Sequence, residues 1–105
     1  MGKRIEYEPQ LLKSLADPEQ AVAYLNAALD DGDLGVFLLA LQDVIKASPL
    51  GMVGTSKKSK LERTHLYRML SEEGNPEMKS LNSVLSTLGF QFQVAPKKLH
   101  ENSLS

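Results

Sequence analysis

From Leu34 to Ile45 the chain repeats apolar residues at helical spacing, at Leu34, Phe37, Leu38, Leu41, Val44 and Ile45. Val36, Leu39 and Ala40 widen the stripe until little of the helix surface is left polar. An apolar face this broad cannot lie on a surface; it predicts the most buried helix of a domain, with the other elements packed around it. Asp33 offers the N-cap of this helix, and Pro49 disfavours helical backbone at Ser48, so the helix is expected to stop near Ala47.

The flanking segments read as helices too. Asp17-Pro18-Glu19 is a helix start: an aspartate to accept from the free amides, a proline at the first position and an acid near the positive helix end. Ala21, Val22, Leu25, Ala28 and Leu29 then form one face, with Tyr24 beside them, up to Asp31-Gly32. Gly51 to Lys60 is read as a short helix with little local support, since it carries Gly54, Thr55, Ser56 and Ser59. A clearer helix covers Glu62 to Ser71, with Leu61, Leu66, Met69 and Leu70 inward and Glu62, Arg63, Thr64, His65 and Arg68 outward. Glu73-Gly74-Asn75-Pro76 is a loop by its turn chemistry. Leu81, Val84, Leu85 and Leu88 mark a last helix that Gly89 closes in a left-handed conformation.

Two segments read as strands. Ile5-Glu6-Tyr7-Glu8 alternates, and Pro9 ends it before Leu11, Leu12 and Leu15 begin a helical turn or two. Phe90-Gln91-Phe92-Gln93-Val94 alternates strictly, with Phe90, Phe92 and Val94 on the inward face. A lone strand leaves its amides and carbonyls unpaired. Its partner edge is Ile5–Glu8 of the same chain, a strand of another protein, or the same strand of a second subunit. The last is preferred, which makes Phe90, Gln91, Phe92, Gln93 and Val94 a candidate dimer interface. The expected fold is therefore all-α, with five helices and a short C-terminal strand. Residues 1–16 would form an N-terminal arm, 17–96 the domain and 97–105 a flexible tail.

Composition narrows the function. A chain of 105 residues has room for one core. No apolar run approaches the ~20 residues of a membrane span, and no signal-like stretch comes after Lys3-Arg4. Without cysteine there is no disulfide, thiolate site or thiol nucleophile, which fits the cytoplasm. His65 and His100 lack metal-ligand spacing. No carboxylate pair, nucleophile–base pair or phosphate loop stands out, so neither an enzyme nor a cofactor is expected. Net charge is −1 and the isoelectric point about 6.1. The charges are nevertheless segregated: Asp17, Glu19, Asp30, Asp31, Asp33 and Asp43 fall in a stretch without Lys or Arg. Lys57, Lys58, Lys60, Arg63 and Arg68 come next, with Glu62 as the one acid among them.

A short helix, a tight turn and a second helix with a basic outer face suit DNA. The second helix must be narrow and polar outside to enter a major groove about 12 Å wide, and apolar inside to be held. Arg63 and Arg68 have the chemistry for guanine edges or phosphates, and Thr64 and His65 the reach for bases. Lys57, Lys58, Lys60 and the Tyr67 hydroxyl suit phosphates. The same outer face occurs on solvated helices that bind nothing.

Asp17-Pro18-Glu19, Ala23-Tyr24-Leu25-Asn26, Gly32-Asp33, Phe37 to Leu41, Leu66-Tyr67-Arg68, Leu70-Ser71, Gly74-Asn75-Pro76 and Leu81 to Gly89 together resemble the addiction-module antidote proteins. These are small antitoxins similar to the HigA type, with a λ-repressor-like helix-turn-helix. The resemblance covers about residues 15–96. It implies a RelE/ParE-type toxin as partner and repression of the shared operon through double-stranded operator DNA, to which the homodimer expected from residues 90–94 would bring two recognition helices. The other reading is a protein-interaction module whose DNA binding is lost or weak. The chain departs from the family at Thr55, Ser56 and Ser59 in the helix before the turn, at Lys60 where glycine is usual, and at Glu62 in place of a serine cap. Lys60 is expected in a left-handed conformation at a cost of about 1 kcal/mol, and Glu62 caps less well than serine.

Overall fold

The computed structural model describes residues 2–97, with side chains from Pro9 onward. Six helices succeed one another: α1 (Gly2–Leu15), α2 (Pro18–Asp30), α3 (Leu34–Ala47), α4 (Gly51–Ser59), α5 (Arg63–Met69) and α6 (Met78–Thr87). Among the described residues there is no strand.

The α3 helix is the axis of the molecule, as its stripe requires. Leu38, Leu41 and Ile45 are fully buried, and Phe37, Ala40 and Val44 nearly so. Helices α1, α2 and α4 pack against it, and α5 and α6 pack against α4. Both aspartate caps form. Asp17 accepts from the Glu19 amide at 3.1 Å and Asp33 from the Gly35 amide at 2.9 Å, each satisfying a donor that the first helical turn leaves free. Ser48 ends α3 in extended backbone ahead of Pro49. Its hydroxyl donates to the Ile45 carbonyl at 2.8 Å and accepts from the Gly51 amide at 3.2 Å. One side chain thereby couples the end of α3 to the start of α4. The buried Asp43 carboxylate accepts from the Tyr24 hydroxyl at 2.9 Å, a polar lock between α2 and α3.

Two expectations are corrected. The N-terminal strand at Ile5–Glu8 is part of helix α1, which continues through Pro9. A proline inside a helix forfeits one backbone hydrogen bond. What holds this helix is its later half: Leu15 is buried and Leu11 packs on the core. Apolar burial thus outweighs the alternation of a few residues. Among the described residues the helix count is therefore six and not five.

The second correction concerns residues 90–94, which are extended but not a strand. Gly89 does take the left-handed conformation, with φ +89°. The Gly89 amide donates to the Ser86 carbonyl and the Phe90 amide to the Leu85 carbonyl, which reverses the chain at the end of α6. The chain then runs back over the core with Phe90 and Phe92 partly buried. Phe92 meets Phe37 with ring centroids 6.2 Å apart, tilted by 39°. Val94, expected on the same inward face, is 97% exposed. Burying two rings holds the segment down without any paired edge. Neither segment read as a strand is one.

Candidate nucleic-acid interface

Helix α4 has the weakest local signal of the six, and packing makes up for it. Met52 and Thr55 are buried, fixing its inner face, and it touches α3, α5 and α6. Tertiary contact on three sides supplies what its composition lacks. The Thr55 hydroxyl is fully buried and has no hydrogen-bond partner among the described residues.

At the end of α4, Lys60 adopts φ +64° and ψ +26°, the left-handed conformation expected of it. The amides of Lys60 and Leu61 both donate to the Ser56 carbonyl, the second at 3.2 Å. The Ser56 hydroxyl donates back to the Leu61 carbonyl. A single serine thus holds both backbone groups of the turn residue Leu61, whose side chain packs on the core. Ser83 of α6 donates to the Ser59 carbonyl at 3.3 Å, fastening the same end of α4 from the other side. Ser56, which departs from the apolar helix expected before the turn, is therefore one clip of the turn, and Ser83 is the other.

The chain enters α5 through Glu62, whose side chain makes no capping bond, as its chemistry suggests. Its carbonyl accepts from the Leu66 amide at 2.8 Å and begins the helix. Leu66 is fully buried and Met69 nearly so, with Leu70 buried just beyond. Arg63, Thr64, His65, Tyr67 and Arg68 are all exposed. Among the described residues neither arginine forms an ion pair, although Arg68 lines a cleft that also contains Glu73 and Glu77. Lys57, Lys58 and Lys60 are exposed on the preceding helix and turn.

The loop after α5 is as constrained as the turn before it. A β-carbon on Gly74 would collide with the Met69 carbonyl oxygen, so only glycine permits the loop to fold this closely against the helix end. Ser71 donates to the Arg68 carbonyl at 2.9 Å. Gln42 of α3 reaches the Leu70 carbonyl at 3.4 Å, a long bond that ties the central helix to this region.

The arrangement is a short rod held by apolar residues from behind, with a positive and hydrogen-bonding face outside. Such a face has the complement of phosphate oxygens and base edges. A family profile described as "Probable addiction module antidote protein" matches residues 8–96. This chain belongs to that family of antidotes. An uncharacterized protein of Haemophilus influenzae is 31% identical over 80 residues, spanning 76% of this chain and 80% of the relative. No solved structure matches. An antidote implies a toxin partner, and the family match covers α2 to α6 entirely. Among the described residues of the antidote no single helix is long and apolar enough to cross a membrane. Among those same residues, no group of His, Asp and Glu side chains clusters in a way that would hold a metal ion.

Of the expected site residues, Lys57, Lys58, Lys60, Arg63, Thr64, His65, Tyr67 and Arg68 thus occupy one continuous stretch of exposed helix, turn and helix. Phe90, Gln91, Phe92, Gln93 and Val94 lie elsewhere, the first four of them beside α2. Sequence reasoning missed Ser56 and Ser83 as clips. The signal at Ser56 was negative, a serine where an apolar residue is usual, and it pointed to weakness. Nothing in the sequence marked Ser83.

Proposed function

We propose that this chain is the DNA-binding antitoxin of a type II toxin–antitoxin module. It neutralises a RelE/ParE-type toxin in the cytoplasm and represses its own operon, with α4, the turn and α5 acting as a helix-turn-helix. The observation that carries this reading is the outward face of α5. Its two guanidinium groups lack protein partners among the described residues, while Leu66 and Met69 fix the helix that bears them. In this reading Arg63, Thr64 and His65 address base edges. Lys57, Lys58, Lys60, Tyr67 and Arg68 address phosphates and set the register on the duplex.

Two copies related by a two-fold axis would set two such helices about 34 Å apart, one turn of DNA. The 97% exposed Val94, which lies next to the 90–93 segment, is the proposed place of that pairing. A monomeric mass at micromolar concentration, in the presence and absence of DNA, would remove the dimer from the proposal.

The test is a gel shift on DNA from the promoter of the module. Wild type should bind with an affinity that falls steeply with salt. Removing one phosphate-binding side chain should reduce the logarithmic salt slope by about 0.9. Arg63→Ala combined with Arg68→Ala should abolish the shift while leaving the thermal melt unchanged, because both side chains are exposed. A wild-type chain that shifts none of these fragments leaves the interaction-only reading in place of this one.

A further inference from the structure

The apolar stripe of α2 continues past the core. Val22 and Leu29 are 40% and 43% exposed. With Leu25 and Asn26 they form one wall of a groove of about 170 Å³, whose floor is Phe37 and Leu85. The opposite wall is the extended segment from Phe90 to Gln93, pinned by the Phe92–Phe37 contact.

The α2 edge of this groove is extended by acids. Glu19 and Asp30 continue the line of Val22 and Asn26 at three- and four-residue spacing, so they extend the same edge of α2. Both are exposed. Between Lys13 and Lys46 there is no lysine, arginine or histidine. The other wall carries no charged side chain from Gly89 to Pro96. An apolar trough with an acidic rim favours a positive partner and repels a negative one. It also disfavours a second copy of this chain, because a two-fold contact uses the same patch on both subunits and would set these acids against one another.

We propose that this groove seats the toxin, gripping a segment with an apolar ridge flanked by lysine or arginine. The partner's identity rests on the antitoxin reading; the place and its chemistry rest on the groove. Helix α2 packs on α1 and α3, whereas α5 packs on α4. Toxin and DNA would therefore engage different elements of one molecule.

The test co-expresses the full chain with the toxin of its own module. It measures complex formation by size exclusion with light scattering, and rescue of growth. Val22→Glu with Leu29→Glu, and separately Glu19→Lys with Asp30→Lys, should each weaken the complex at least tenfold and reduce rescue. All four positions are exposed, so the fold and the promoter gel shift should persist, with the melting temperature lowered by only a few degrees, since Glu19 complements the start of α2 and Val22 and Leu29 are 40% and 43% exposed. Groove variants that hold the toxin as tightly as wild type overturn the proposal. Variants that instead halve the mass of the free protein also overturn it, showing that the groove joins two copies. A wild-type chain that binds no toxin at all sinks the antitoxin reading itself, which the groove variants alone cannot do.

Discussion

Replacing Lys60 with glycine isolates the strain in the turn between α4 and α5. Lys60 holds φ +64°, where a side chain's β-carbon crowds its own backbone at a cost of about 1–2 kcal/mol. Glycine removes that cost but gives the unfolded chain more freedom, returning about 0.5–1 kcal/mol. The net expectation is a gain of about 0.5–1 kcal/mol. The molecule contains its own control for this geometry. Gly89 closes α6 at φ +89° with the same backbone bond, from the residue after the left-handed one to the carbonyl five before it. For a domain of this size the gain corresponds to a rise of about 3–6 °C in melting temperature. In urea the midpoint should rise at unchanged slope. Lys60→Ala is the companion variant, since it removes the charge and keeps the β-carbon; it should show no such gain. Both variants should weaken binding of promoter DNA alike, and both should lower the salt slope by about 0.9 if the ammonium group meets a phosphate. A glycine variant no more stable than the alanine one would refute strain in this turn.

Three further outcomes are expected. Thr55→Val should stabilise the fold by about 1 kcal/mol in chemical denaturation, because it removes a fully buried hydroxyl that has no partner among the described residues while keeping the side-chain shape. Gly74→Ala should destabilise by about 1–3 kcal/mol in the same assay, since its β-carbon meets the Met69 backbone and not a movable side chain. Ser56→Ala should cost about 0.5–1.5 kcal/mol by loss of the bond to the Leu61 carbonyl. In amide hydrogen exchange the added exposure should concentrate in the turn and α5, and uniform loss of protection across all helices would argue against a local clip.

The helical part of the fold is legible in the sequence because its signals are local. Asp17 and Asp33 cap the helices they precede, Pro49 lies just past the end of α3, and Gly89 closes α6, each acting within a few residues of itself. The inner and outer faces of α5 are legible for the same reason: Leu66 and Met69 share a face by spacing alone. The corrections fall where alternation over four or five residues imitates a strand. At Ile5–Glu8 the pattern is too short to compete with the helix that Leu11 and Leu15 anchor. At Phe90–Val94 the alternation is real, but its aromatic side finds the chain's own core.

By itself the sequence determined the central helix, the caps and the line of bases from Lys57 to Arg68, since each depends on neighbours within one or two turns, while the left-handed Lys60 followed from the resemblance. Only the tertiary structure decided that α4 is a sound helix, that Ser56 and Ser83 clip the turn, and that residues 90–93 and α2 enclose a groove. Most of these features join atoms far apart in the chain, brought together when apolar burial around α3 fixed where every other helix had to lie.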